Sequence, residues 1–302
     1  MPQTIKISKQ EDIVSPYTDT SFKHIFTTEQ PESKEALIDF LSAFLEKEVI
    51  YVKLMPNEPP TENIQDKAIR FDIRCIFNDN EGANIEIQVY PSDFELERME
   101  YYLSKLFVGQ PLKGKKYSEI KHTYQLTMIV NSTVINDDIL IHKFKYYDKD
   151  NKINLNGRTH LITIELSKLE NILKKDLKSL SHKESWAIFF KYVKDKNNRD
   201  IVNKIIEKER GIQMATKTLI KITKDEIMRD KIMQEEKQAL DRYNDSIEVR
   251  LEDRYKKGIE KGIEKEKIEM VQNLLNLGVN VDIISRSSGL SIKEIKNSKK
   301  YK

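Results

Sequence analysis

The sequence predicts an α/β fold with an all-helical extension, on three observations. Residues 71–77 and 85–90 alternate apolar and polar side chains as half-buried strands do, and 123–134 and 160–166 are further β-rich runs. Helical periodicity interleaves with these runs, at residues 34–47 and 95–110. From Lys168 onward the strand patterns stop. Helices followed by strands with an intervening helix describe an α/β domain over residues 16–168.

Each element follows in order. Residues 1–15 read as a flexible polar arm. In 16–30, Phe22, Ile25 and Phe26 have helical spacing, and KEALIDFLSAFLEK after Ser33 places Leu37, Ile38, Leu41, Phe44 and Leu45 on one stripe. Val49 to Met55 reads as a short strand, and the prolines of PNEPPTEN (56–63) as a loop. The alternating pair 71–77 and 85–90 forms a hairpin around NDNEG. In 95–110, Leu96, Met99, Leu103, Leu106 and Phe107 line one helix face. Phe144 to Tyr147 and His160 to Leu166 are strand candidates, with turn residues at 151–157 between them. Residues 168–194 and 199–210 read as helices with an aromatic local core around Trp186, Phe189 and Phe190.

The region 169–270 ends in a strongly charged helix, in which KGIE is repeated in tandem at 257–264. Its glycines each cost about 1 kcal/mol against alanine, and its charge pattern suits a solvated helix or coiled-coil arm. Residues 271–302 read as three short helices, with stops at Gly278 and Gly289 and a capping box from Ser291 to Glu294. This is a helix-turn-helix-like unit, or a small helical cap, which the lack of a recognition-helix signature favours.

Composition narrows the function. Against 52 basic residues stand 49 acidic ones, a net charge of +3, so any nucleic-acid surface has to be local. The single cysteine, Cys75, excludes an internal disulfide framework and a cysteine zinc site. No apolar run reaches the roughly 18 residues a membrane helix needs, and MPQTIKISKQEDI lacks an apolar signal core. A cytoplasmic protein of bacterial type is expected.

The hairpin FDIRCIFNDNEGANIEIQVY carries the chemistry. Pairing Asn78 with Gly82 sets Arg74 opposite Glu86 and Asp72 opposite Gln88, all on the polar face. Asp72 and Glu86 then lie diagonally, about 7–8 Å apart at Cβ, within reach of one hard cation such as Mg²⁺. The same residues also fit a solvated face with an Arg74–Glu86 ion pair of little energetic worth. The residues alone leave both readings open.

The order of motifs resembles the Rpn family of recombination-promoting nucleases and transposases, a branch of the PD-(D/E)xK phosphodiesterases. The matching pieces are DTSFKHIF at 19–26, the helix KEALIDFLSAFL, Asp72 in FDIR, Glu86 and Gln88 in IEIQVY, and RMEYY at 98–102. ITIEL, the glycine-punctuated charged helix and GLSIKEI complete the order, so the resemblance covers nearly the whole chain. It implies a restriction-endonuclease-like core, a mixed central sheet flanked by helices. It implies a DNA endonuclease hydrolysing phosphodiesters by metal-activated water, with Mg²⁺ as cofactor and Mn²⁺ as substitute. Asp72 and Glu86 become the metal-binding carboxylates, and Gln88 stands where many relatives carry lysine. A glutamine brings no charge; it can only hydrogen-bond the attacking water or a phosphate oxygen. Asp19, Lys23, Arg98 and Tyr102 are supporting or phosphate-contacting candidates, with helix capping and packing as their bland alternatives. DNA is the expected partner, and the C-terminal helices are expected to serve homo-oligomer or DNA contacts. The alternative is a catalytically weak or inactive nuclease fold acting as a DNA-binding or regulatory module; a third is an interaction protein built on the charged arm.

Overall fold

The computed structural model describes residues 5–58 and 69–298. The proline-rich loop expected at 56–63 falls, from residue 59 on, outside the described residues. Contacts divide the chain into two compact units, Met1–Ala239 and Leu240–Lys302.

The first unit opens with helices α1 (Asp19–Thr27) and α2 (Pro31–Leu45). Thr18 caps α1 in a reciprocal capping box with Ser21. α2 starts two residues before the expected Ser33, because Pro31 takes the first helical position, where its missing N–H costs nothing. Strands β1 (Val52–Leu54), β2 (Ile73–Phe77) and β3 (Glu81–Gln88) follow, then helix α3 (Glu95–Val108) and strand β4 (Thr123–Ile129). β5 is Ile141–Phe144, slightly before the expected 144–147; β6 (Tyr147–Asp148) and β7 (Ile153–Asn154) make a separate small hairpin, and β8 is Thr159–Glu165. The main sheet is mixed, in the order β1-β2-β3-β4-β8-β5. β4 runs parallel to both β3 and β8, and the remaining pairs are antiparallel.

Alternation sorts the two sheet faces. Ile73, Cys75, Phe77, Ile85, Leu126, Met128, Ile162 and Ile164 join one buried cluster with Phe22, Phe26, Leu37, Phe40 and Trp186. The other face is polar yet buried: Asn84, Glu86, Gln125, Thr127, Thr163 and Glu165. α3 covers that face, with the Leu106 side chain over Gly82, where a Cβ would lie 3.9 Å from it.

Three further helices belong to the same core: α4 (His182–Tyr192), α5 (Arg199–Lys208) and α6 (Arg210–Lys224). The helix expected from residue 168 begins only at His182, where Ser181 and Glu184 form a capping box; Leu166–Lys168 and Leu177–Ser179 are 3-10 turns. α6 packs against α2 so closely that a Cβ on Gly211 would lie 2.2 Å from the Asp39 side chain.

The expected flexible arm is corrected over residues 5–15. Ile7, Ile13 and Val14 are buried. Asn203 clamps Ile7, accepting its N–H and donating to its carbonyl, both at 2.9 Å. Apolar side chains interspersed in IKISKQEDIV dock while their polar neighbours face water.

The hairpin register also differs from expectation. Phe77 pairs with Glu81 and Ile73 with Ile85, so the loop is Asn78, Asp79 and Asn80. Asn78 and Asn80 take the left-handed conformation, at φ 44° and 63°, which asparagine tolerates. Asn78 also bonds the backbone of Glu48 and Ile50. The shift is two residues, so both faces are preserved and the partners change.

α7 (Glu226–Asn276) runs from the first unit into the second. In the second unit, α8 (Val281–Ser288) and α9 (Ile292–Ser298) follow, and Val271, Ile284 and Ile295 form a small core. Gly278 and Gly289 take positive φ at the two helix stops, as their positions predict. The tandem KGIE segment is helical and exposed. Among the described residues, no helix is long and apolar enough to cross a membrane.

Candidate active site

Asp72 sits just before β2 and Glu86 near the end of β3. The observed register brings them face to face rather than diagonal. The Asp72 N–H donates to Glu86 Oε1 at 3.0 Å, and the Ile87 N–H donates to Asp72 Oδ2 at 3.0 Å. Asp72 Oδ1 takes no hydrogen bond among the described residues. The expected Arg74–Glu86 pair does not form: Arg74 lies opposite Asn84 and reaches the Pro56 carbonyl at 3.4 Å. The cation on Glu86 comes instead from α3, where Arg98 contacts Oε2 at 3.1 Å.

Glu86 is 2% exposed. Its Oε1 also accepts from Asn84 Nδ2 at 2.9 Å. Asn84 donates on to Gln125 at 2.8 Å, and Gln125 to Thr127 at 3.0 Å. This chain, running beneath α3, fixes the carboxylate plane. Glu95, buried in the first turn of α3, shares Arg98 at 3.4 Å. Two carboxylates, Glu86 and Glu95, therefore share one guanidinium.

The electrostatics follow. Burial, then the charge of Asp72, raises the Glu86 pKa above the ordinary carboxylate range. Burial likewise raises Asp72, and the nearby Asp19 adds to it while Lys23 and Arg98 oppose it. Burial also raises Glu95. A pair of hard oxygen donors that resist ionisation together is a site in which a cation would be stabilising. Among the described residues no group of three or more His, Cys, Asp or Glu gathers to hold a metal. The donor set thus fits a hard divalent ion that keeps water or substrate oxygens as its other ligands, and not a closed protein cage.

The other sequence candidates divide. Asp19 and Lys23 pair with each other one turn apart on α1, and both charges act on Asp72. Tyr102 packs edge-on against Phe71 at 5.5 Å and lies under the Arg98 guanidinium at 5.0 Å, so it supports Arg98. Gln88 ends β3 on the Glu86 face, half-buried, and its side-chain amide has no partner among the described residues. Sequence reading missed Asn84, Gln125, Thr127 and Glu95. Glu95 had a signal, its three-residue spacing to Arg98; the polar alternates of TYQLTMIV were the signal for Gln125 and Thr127.

A model of the family described as PD-(D/E)XK nuclease family transposase matches residues 16–248. No curated protein and no solved structure matches the chain.

Proposed function

Since the chain belongs to the PD-(D/E)XK nuclease family of transposases, we propose that it is a DNA endonuclease whose Asp72 and Glu86 hold Mg²⁺, with Mn²⁺ as a substitute. The observation that carries this is the face-to-face pair of carboxylates, Glu86 buried and Asp72 half-buried, each with its pKa raised. When bound, such an ion lowers the pKa of a water and offsets charge on a phosphate.

The chain's own residues do the rest. Asn84 and the Asp72 N–H orient Glu86 through Oε1, and Arg98 holds Oε2. The Ile87 N–H fixes Asp72 and leaves Oδ1 for a ligand. Gln88, with no partner of its own, hydrogen-bonds the attacking water or a phosphate oxygen without adding charge. Its neutrality also favours a second reading, a catalytically weak or inactive nuclease fold that acts as a DNA-binding or regulatory module. Asp19 and Lys23 tune the field at Asp72.

Nicking of supercoiled plasmid separates the readings. Wild type is expected to nick with Mg²⁺ or Mn²⁺, and Asp72→Asn and Glu86→Gln to lose at least about a hundredfold of that rate. Equal trace nicking in all three rejects the enzyme, and salt-dependent DNA binding without cleavage supports the binding module.

The second unit is proposed to serve self-association. Leu240, Leu251, Tyr255, Ile259 and Ile263 are exposed along α7. Ending the chain at Ala239 is expected to lower the particle mass by more than the deleted segment, read by light scattering; a drop equal to that segment rejects the role.

A further inference from the structure

A cavity of about 570 Å³ opens at the N-terminal end of the parallel strands, the end away from the carboxylate pair. Its walls include His122, Lys145, Tyr146, Asn156, Arg158 and His160. Thr123 and Thr159, beside it, align with Gly82. That is four residues before Glu86, or ~13 Å along the strand at ~3.3 Å per residue. The cavity is distinct from the carboxylate pair.

We propose that this cavity binds the phosphate monoester of a nucleotide. None of its lining residues is acidic. Lys145 makes no hydrogen bond or ion pair among the described residues. Arg158 spends its guanidinium on an imidazole rather than a carboxylate, donating from Nη1 to His122 Nε2 at 2.9 Å. Guanidinium has no acceptor, so His122 carries its proton on Nδ1. From there it donates to His160 Nε2 at 2.8 Å. His160 is then protonated on Nδ1, and that N–H has no acceptor among the described residues.

Two cations without counter-charges and an unspent N–H thus converge on one cavity. Burial, followed by the charges of His122 and Lys145 and opposed by Glu81, holds the His160 pKa down to about 4. His160 is kept in place by stacking on Tyr124, with ring centroids 4.5 Å apart at 12°. The Tyr146 ring, 58% exposed, lies against Gly157, where a Cβ would come within 3.1 Å of it. Exposed rings of this kind stack nucleobases. The volume lies within the ~300–1,000 Å³ of small-molecule sites.

The phosphate has two possible sources, a free nucleotide or the phosphorylated end of a DNA strand. The test is titration of the full-length chain with deoxyadenosine 5′-monophosphate, following the imidazole resonances of His122 and His160. Parallel arms use deoxyadenosine, and short oligonucleotides with a 5′-phosphate or a 5′-hydroxyl. Saturable shifts with the monophosphate, and none with the nucleoside, are expected. The double variant Lys145→Gln, Arg158→Gln, both surface positions, is expected to bind at least roughly tenfold more weakly. Asp72→Asn is expected to bind as wild type does, so failure here and failure of the nuclease reading are distinguishable. Tighter binding of the 5′-phosphorylated oligonucleotide than of the monophosphate identifies a strand end as the source, and the reverse identifies a free nucleotide. No saturable shift in wild type, equal shifts with the nucleoside, or a smaller loss in the double variant overturns the proposal.

Discussion

Two glutamates on the polar face of the sheet are almost equally buried, Glu86 at 2% and Glu165 at 0% exposure, and their surroundings differ in sign. Glu165, at the end of β8, is neutralised. Lys168 contacts it at 3.0 Å, the Val134 and Ile135 N–H groups donate at 2.8 and 3.4 Å, and His142 stands 3.9 Å away. The acid beside it, Asp137, lies against Lys168 at 2.7 Å and His142 at 2.8 Å. Glu86 has a comparable number of donors, but its nearest acid is Asp72, and Arg98 is divided between Glu86 and Glu95. The lesson is that burial alone does not set the charge balance around a carboxylate. A second, uncompensated carboxylate beside it shifts that balance.

The largest expected effect tests the neutralised site. Lys168→Met strands a buried charge at Glu165 and is expected to destabilise the first unit by about 3–5 kcal/mol. Asp72→Asn keeps an acceptor for the Ile87 N–H and removes a repulsion, so it is expected to be neutral or stabilising in the absence of metal. Urea denaturation of both variants reads the difference. Equal losses would dissolve the contrast between the sites.

How far the sequence made these sites legible depends on range. Faces were legible because strand parity survives a two-residue slip, so Asp72, Glu86 and Gln88 share a face in either register. The register was not legible: it rests on Asn78 and Asn80 in left-handed conformations and on Asn78 bonding Glu48 and Ile50, none of which alternation encodes. Arg98 was legible as a helix residue in the RMEYY motif, but its reach to Glu86 needed α3 laid across the sheet. The docking of residues 5–15 depends on Asn203, 196 residues away from Ile7, which no local pattern signals. Cys75, set on the apolar face by alternation, is buried as that pattern requires.

The smallest expected effect is a pH dependence at the neutralised site. Lys168, then the Ile139 N–H and His142, holds the Asp137 pKa down to about 2, from an ordinary value of 3.8. The unfolded chain takes up this proton first as pH falls. The stabilisation from Asp137 is therefore complete above 3.8 and is lost as pH falls toward about 2. Asp137→Asn is expected to be less stable than wild type near neutral pH and to approach it in acid, in paired urea midpoints. A gap that does not shrink in acid would remove Asp137 from the network.

Thermal unfolding with and without Mg²⁺ or Mn²⁺, in wild type and Asp72→Asn, tests the central claim without relying on cleavage. An ion at a hundred times its Kd adds about 2.7 kcal/mol to the folded state, enough for a shift of several degrees in Tm. The account predicts that shift in wild type and its loss in Asp72→Asn. No shift in wild type, or the same shift in both proteins, would contradict it.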